Sequence, residues 1–132
     1  MARKRLPPDD PREWLNRARS NLARAAHVLP GVYLEDLCFD AQQAAEKAIK
    51  AVFIRLAAPF PYVHDLAHLL QRLQRSGVKV PKYVWRAGEL SPFAALTRYP
   101  ALVGPVTKRQ HQRAVRIAQG VLRWAARQVR RP

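Results

Sequence analysis

The strongest pattern in the sequence is a run of apolar residues between positions 34 and 57 that recur every three or four residues. This spacing places them on one face of a helix with 3.6 residues per turn. Pro59 and Pro61 end the segment, because proline cannot continue a helix. The chain is therefore expected to contain a long amphipathic helix that packs against other helices. Its apolar stripe consists of Leu34, Leu37, Cys38, Ala41, Ala45, Ala48, Ile49, Val52 and Leu56.

Helix-capping patterns and apolar spacing mark the remaining helices. Asp10, Pro11 and Glu13 combine an N-cap, a proline at the first helical position and the acid of a capping box. Thr107 and Gln110, three residues apart, form a second capping-box pattern. Two shorter amphipathic segments lie between these regions. The predicted helices cover, in order, residues 12–29, 34–57, 66–77 and 108–129, and residues 81–96, which Gly88 and Pro92 interrupt, are expected to form two short helices or turns.

These elements predict an all-α fold. No segment alternates apolar and polar residues for long enough to predict a strand. Helices joined by short loops pack antiparallel. We therefore expect an up-and-down bundle of four main antiparallel helices plus a short fifth helix. It forms a single helical domain over residues 1–132, of which 1–9 are a basic N-terminal tail.

The charge is strongly unbalanced. The 132 residues include 24 lysines and arginines against nine acids, a formal net charge of +15. Such an excess favours polyanionic partners such as nucleotides, RNA or an acidic protein. No acid follows Glu89, so the cations in the last third of the chain have no acid of that segment to balance them. Like charges at helical spacing repel one another, and this unmixed set therefore indicates that an external anion binds there. A solvated surface and the acids of a partner chain are the alternatives. The cations of this segment are Arg98, Lys108, Arg109, Arg113, Arg116, Arg123, Arg127, Arg130 and Arg131.

Several classes of protein are excluded by what the sequence lacks. The single cysteine, Cys38, allows neither an intramolecular disulfide nor a thiolate zinc site, and it falls on the apolar stripe. His64 and His68 have a spacing that could hold a metal, but no third ligand accompanies them, so we expect no metal and no cofactor. No apolar run approaches the roughly 18 residues of a membrane helix, and the N-terminus lacks the core of a signal peptide. The sequence predicts a cytoplasmic protein with no membrane contact.

His111 is the candidate catalytic residue. A helical wheel places it on the apolar side of the last helix, where an imidazole is more often a core residue than a catalyst. It also lies two residues from Arg109, in a cationic field that would attract a phosphate and keep the ring neutral. Both interpretations stay open at this stage.

Three segments of the sequence resemble the HEPN family, named for "higher eukaryotes and prokaryotes nucleotide-binding". They are residues 39–51 (FDAQQAAEKAIKA), His64-Asp65-Leu66 and Arg98-Tyr99-Pro100. The resemblance implies a helical bundle that forms a homodimer and is similar to the carboxy-terminal domain of kanamycin nucleotidyltransferase. It also implies a minimal nucleotidyltransferase as partner, in a pair of toxin–antitoxin character.

Ribonuclease members of that family carry an arginine that is followed, after four to six residues, by a histidine. No such pair occurs in this sequence. We therefore predict a non-catalytic subunit that binds nucleotide or RNA phosphate. The alternative is a metal-independent ribonuclease toxin that uses His111 with Arg109 or Arg98. The predicted binding residues are Lys47, Lys50, His64, Asp65, Arg98, Tyr99, Arg109, Arg113 and Arg116.

Overall fold

A computed structural model describes residues 4–97 and 104–131 of the chain. No strand occurs among these residues, and the all-α prediction is confirmed. None of the described helices is long and apolar enough to cross a membrane. The elements are α1 (Pro11–Ala26), α2 (Leu34–Arg55), α3 (Leu66–Arg75), α4 (Lys82–Trp85), a 3₁₀ helix (Arg86–Thr97) and α5 (Lys108–Arg130).

Side-chain caps set the starts of α1 and α5, as the sequence predicts. The capping box expected at Glu13 is wrong, because the Glu13 carboxylate accepts from the N–H of Leu6 at 3.0 Å and from Arg17 Nε at 2.7 Å. The Asp10 carboxylate accepts a hydrogen bond from the backbone N–H of Arg12 at 2.9 Å. At α5 the capping box is complete. The N–H of Gln110 donates to Thr107 Oγ1 at 3.1 Å, and the N–H of Thr107 donates to Gln110 Oε1 at 2.9 Å. Each cap satisfies backbone donors that have no partner inside the helix.

The first helix ends earlier than the sequence predicts, at Ala26 and not at residue 29. His27 already has an extended backbone, with φ −105° and ψ 97°. Leu29 precedes Pro30, and the residue before a proline is disfavoured in helical conformation. As a result Val28 and Leu29 are 54% and 52% exposed instead of facing the core.

Helix α2 lies at the centre of the bundle, between α1 and α5 and against the 3₁₀ helix. Its alanines are fully buried, and small side chains allow the neighbouring helices to approach closely. Cys38 is fully buried in this core, as its place on the apolar stripe predicts. Burial raises the pKa of the Cys38 thiol to about 11, with a smaller contribution from Glu35.

The two longest helices are joined at their carboxyl ends. Arg55, the last residue of α2, donates from Nε to the backbone carbonyl of Val129 at 3.2 Å, and its Nη2 donates to the carbonyl of Arg131. These carbonyls lie at the end of α5, where backbone acceptors lack partners within the helix and carry partial negative charge. Arg55 therefore fixes the end of α5 to the centre of the bundle.

Candidate functional site

The outer face of α5 carries a row of exposed arginines. Its apolar residues face α1 and α2, which leaves the arginines in solvent. Within the described part of the chain, Arg116 and Arg123 make no hydrogen bond and no ion pair. Their charge is thus available to a ligand. The row consists of Arg109, Arg113, Arg116, Arg123, Arg127 and Arg130.

Tyr83 of α4 fills a gap in this row. Gly120 lies between Arg116 and Arg123 on the same face, and a Cβ added to it would stand 3.3 Å from Tyr83 Cδ2. Because glycine has no side chain, the ring can approach the backbone of α5. Arg127 Nη2 donates a hydrogen bond to the Tyr83 hydroxyl at 2.7 Å. An aromatic ring, 38% exposed, therefore lies among the cations.

Tyr83, the start of the 3₁₀ helix and α5 together form a cavity of about 400 Å³, which we call the α5 groove. Three arginines from α5 and one from the 3₁₀ helix bring four guanidinium groups to it. Such a concentration of guanidinium groups favours an anion, because each can donate two parallel hydrogen bonds to phosphate oxygens. The groove is lined by Tyr83, Arg86, Arg113, Arg116, Ile117, Gly120 and Arg123.

Glu89 is an acid at the edge of the α5 groove. Arg113 binds its carboxylate with two hydrogen bonds, from Nε at 2.8 Å and from Nη2 at 2.7 Å. The hydrogen bonds from Arg113 hold the pKa of Glu89 below its ordinary value. Since about half of each side chain is exposed, this pair is accessible to a competing anion. Arg113 is thus paired with Glu89 within the protein, whereas Arg116 and Arg123 have no such partner among the described residues.

A second group of polar side chains surrounds the buried carboxylate of Glu46; we call it the Glu46 cluster. Glu46 is 4% exposed and accepts hydrogen bonds from Gln42 Nε2 at 2.9 Å and from Lys50 Nζ at 3.0 Å. Its Oε1 also lies 2.8 Å from His64 Nδ1. Burial alone would raise the pKa of Glu46, but the hydrogen bonds from His64, Gln42 and Lys50 outweigh it and leave the pKa below its ordinary value.

The Glu46 cluster orients His64 toward solvent. With Nδ1 next to a carboxylate, the neutral ring carries its proton on Nδ1, which leaves Nε2 as a proton acceptor. The His64 side chain is 67% exposed, so that acceptor is accessible. A histidine held by a carboxylate is the arrangement that general acid–base catalysis uses.

A third group, the α1–α2 cluster, joins the first two helices. Asp40 accepts hydrogen bonds from Asn21 at 3.0 Å and from Arg24 at 2.6 Å, and Lys47 donates to Asn21 Oδ1 at 2.7 Å. Burial lowers the pKa of Lys47, and the charges of Arg24 and Arg17 lower it further. The cluster borders a cavity of about 370 Å³, but its cations are engaged by the protein's own polar groups.

The binding residues predicted on α2 and at the start of α3 belong to different local structures. Lys50 and His64 meet at Glu46, whereas Lys47 lies in the α1–α2 cluster. Asp65 caps α3, where its carboxylate accepts from the N–H groups of Ala67 at 3.1 Å and His68 at 3.4 Å.

The other predicted site residues come from the last third of the chain. Arg113 and Arg116 line the α5 groove, and Arg109 is exposed on the same helix. Arg98 and Tyr99 lie outside the described residues.

His111, the candidate catalytic residue, is 6% exposed. Its Nε2 lies 2.7 Å from the backbone carbonyl of Ala25, at the end of α1. The ring is therefore engaged in holding α1 against α5. Among the described residues, no three histidines, cysteines or acids are grouped closely enough to hold a metal ion.

Sequence reasoning missed the residues that complete the α5 groove. Tyr83 and Arg86 are distant from α5 in sequence, so no spacing rule connects them to it. Gly120 offered a signal, because a glycine inside a helix lowers helix stability and usually has a packing reason.

Comparisons with known proteins agree with this architecture. The family model described as "HEPN domain" matches residues 11–129. The solved structure of TT1696 from Thermus thermophilus is 32% identical, with a TM-score of 0.78, over 91% of this chain and 98% of that one. The structure of ST0689, an archaeal HEPN homologue, is 26% identical, with a TM-score of 0.73, over 97% of this chain and 100% of that one. No curated protein matches the chain significantly.

Proposed function

Because the chain belongs to the HEPN domain family, we propose that it binds the phosphates of RNA or of nucleotides through the α5 groove. The observation that carries the proposal is the pair Arg116 and Arg123, which face the groove without a hydrogen bond or ion pair to any described residue. Like charges held together in this way lower the stability of the isolated protein and are compensated when an anion binds.

The proposed role is binding and orientation of the ligand. Guanidinium groups stay protonated at any physiological pH and match the geometry of phosphate oxygens. The net charge of +15 adds a long-range attraction that accelerates the encounter with a polyanion. Binding of this kind weakens steeply with salt, because each neutralised phosphate releases counterions.

The test is charge reversal of the two unpaired arginines, Arg116→Glu with Arg123→Glu. Each loses a charge-assisted hydrogen bond, so we expect the affinity for single-stranded RNA to fall roughly 100-fold at low salt. The measurement is fluorescence anisotropy of a labelled oligonucleotide. The matched control is Arg72→Glu with Arg75→Glu, which changes the net charge equally on the exposed face of α3.

The comparison between the two double variants decides the proposal. An equal loss of affinity in both would mean that binding follows net charge and does not use the α5 groove. Unchanged binding in the α5 variant would refute the proposal directly. Circular dichroism of both proteins checks that the bundle stays folded. The salt dependence of binding should also become shallower only in the α5 variant.

Metal-independent cleavage of RNA is a second candidate function, favoured by the geometry of His64. Its Nε2 could accept the proton of a ribose 2′-hydroxyl, whose oxygen then attacks the phosphorus and releases the 5′-oxygen with a proton from solvent. Glu46 would orient the ring through the contact between its carboxylate and Nδ1. This assigns the reaction to His64 in place of His111, because His111 is buried against Ala25.

RNA cleavage in the presence of EDTA tests this candidate. We expect activity that disappears in His64→Ala and persists in His111→Gln, if the folded state of the latter is retained by circular dichroism. Intact RNA after incubation with the wild-type protein would remove the candidate and leave the binding function untouched.

Two assembly partners complete the proposal. We infer a minimal nucleotidyltransferase as partner subunit, in a toxin–antitoxin-like pair in the cytoplasm; the family resemblance supports this.

We also infer a homodimer, supported by an exposed apolar patch after α1, because such patches commonly mark protein interfaces. Size-exclusion chromatography with light scattering tests it, and Leu29→Asp should give a monomer. The patch consists of Val28, Leu29, Val32 and Tyr33.

A further inference from the structure

We propose that the α5 groove holds an unpaired nucleobase as well as phosphate: the base stacks on Tyr83 while Arg116 and Arg123 bind the phosphates on either side. The proposal rests on the proposed phosphate binding and adds the class of ligand, single-stranded RNA. Tyr83 is the aromatic residue in the lining of the groove.

The ring of Tyr83 is held from two sides. Its Cδ2–Cε2 edge lies against Gly120, at 3.3 and 3.6 Å from the position a Cβ would take. Its hydroxyl accepts a hydrogen bond from Arg127 at 2.7 Å. A ring held in this way loses little conformational freedom when a ligand binds, so more of the stacking energy is retained as affinity.

The ring nevertheless remains accessible, with 38% of the residue surface exposed. Trp124 of α5, by contrast, is 2% exposed and belongs to the core. An aromatic ring flanked by cations is the arrangement that proteins use for single strands, in which bases stack on the ring and phosphates follow the cations.

Stacking on Tyr83 selects single strands over duplexes. In a duplex both faces of each base are covered by its neighbours, so no face is free for a side chain. In a single strand the bases can separate and expose their faces. Because every base has such a face, the site would distinguish single-stranded from double-stranded RNA and tolerate many sequences.

The experiment distinguishes the contribution of the base to the affinity from that of the phosphates. Binding of a labelled oligoadenylate of about 12 nucleotides is compared with binding of inorganic polyphosphate of similar length, which carries the charge but no base. We expect Tyr83→Ala to weaken oligoadenylate binding about tenfold and polyphosphate binding less than about twofold. Tyr83→Phe keeps the ring and should stay within about threefold of wild type for both.

Tyr62→Ala is the matched control, because Tyr62 is 98% exposed and its loss removes an equally large aromatic side chain. We expect no change in either affinity. Melting curves of all variants check folding. A duplex of the same length should bind the wild type more weakly than the single strand and should be insensitive to Tyr83→Ala.

Each other outcome overturns the inference in a recognisable way. Equal weakening of oligoadenylate and polyphosphate by Tyr83→Ala would mean that Tyr83 only positions Arg127 for phosphate. No weakening of either would mean that the ring does not touch the ligand, while loss of both ligands in the Arg116→Glu, Arg123→Glu variant would still support phosphate binding. Failure of the wild type to bind either ligand would end the proposed function and the inference together.

Discussion

The α1–α2 cluster and the α5 groove are both rich in cations, but they differ in whether those cations are paired within the protein. In the α1–α2 cluster, Arg24 is paired with Asp40 and Lys47 donates to Asn21, so the charge is used to hold two helices together. In the α5 groove, Arg116 and Arg123 have no partner among the described residues. A cation that is already paired within the fold is less available to a ligand than one that is not, so the number of basic residues alone does not indicate where an anion would bind.

The Glu46 cluster extends this contrast into the interior. There a buried carboxylate is satisfied by three partners, and removal of Glu46 leaves Gln42 and Lys50 without the acceptor they share. The α5 groove has no such interdependence, because its arginines are in solvent. Substitutions in the two regions should therefore affect different properties, stability in the first and ligand affinity in the second.

The largest expected effect is that of Glu46→Ala, which leaves the buried amide of Gln42 and the largely buried ammonium group of Lys50 without their acceptor. We expect the free energy of unfolding to fall by about 3 kcal/mol. Arg116→Ala and Arg123→Ala should each change it by less than about 0.5 kcal/mol. Urea denaturation measures all three. Similar losses of unfolding free energy in all three variants would refute the conclusion that the Glu46 cluster contributes to stability and the α5 arginines do not.

Acid should weaken the Glu46 cluster further. Because the pKa of Glu46 is lower in the folded than in the unfolded protein, its contribution to stability is complete above the unfolded value of about 4.3. That contribution is lost as the pH falls through the folded pKa. Urea denaturation between pH 7 and pH 3 should show a smaller decrease in Glu46→Gln than in the wild type. An equal decrease in the wild type and in Glu46→Gln would show that the ionisation of Glu46 does not contribute to stability.

The single substitution Gly120→Ala should lower RNA affinity and leave the free energy of unfolding almost unchanged. Alanine favours the helix by up to about 1 kcal/mol, but its Cβ would press on Tyr83 at 3.3 Å and displace the ring. We expect the free energy of unfolding to change by less than about 1 kcal/mol, and RNA affinity to fall about threefold. A variant with wild-type affinity would show that the position of the ring is unimportant.

The smallest effect is expected from Glu89→Gln. The substitution releases Arg113 to the groove, while an ion pair this exposed contributes little to stability. We expect RNA to bind roughly two- to fivefold more tightly at low salt, with unfolding nearly unchanged. Anisotropy titrations at two salt concentrations measure this. Weaker binding would mean that Glu89 holds Arg113 in its binding position.

The fold could be predicted from the sequence because its signals are local. Thr107 and Gln110 are three residues apart, and the apolar stripe of α2 repeats within each turn. The end of α1 was predicted three residues too late, since the stripe continues to Leu29 and Pro30 overrides it. Glu46 and Lys50 are four residues apart and form an ion pair, but this spacing alone does not indicate that the carboxylate is buried.

The candidate site was only half predictable, because half of it comes from tertiary packing. Arg113 and Arg116 were predicted from their row on α5. Tyr83 is brought to them by the packing of α4 on α5, which depends on contacts between residues 37 positions apart in sequence, from 83 to 120. His64 was identified, but the carboxylate that orients it was not.

The buried thiol of Cys38 provides an internal reporter of how the bundle opens. The sequence contains one cysteine, and its pKa of about 11 leaves almost no reactive thiolate in the folded protein at neutral pH. A thiol reagent can modify it only when α2 separates transiently from its neighbours. The modification rate in the wild type therefore measures that opening without a mutation or an added label, and its decrease on addition of RNA would give the stabilisation that the ligand transmits to the core.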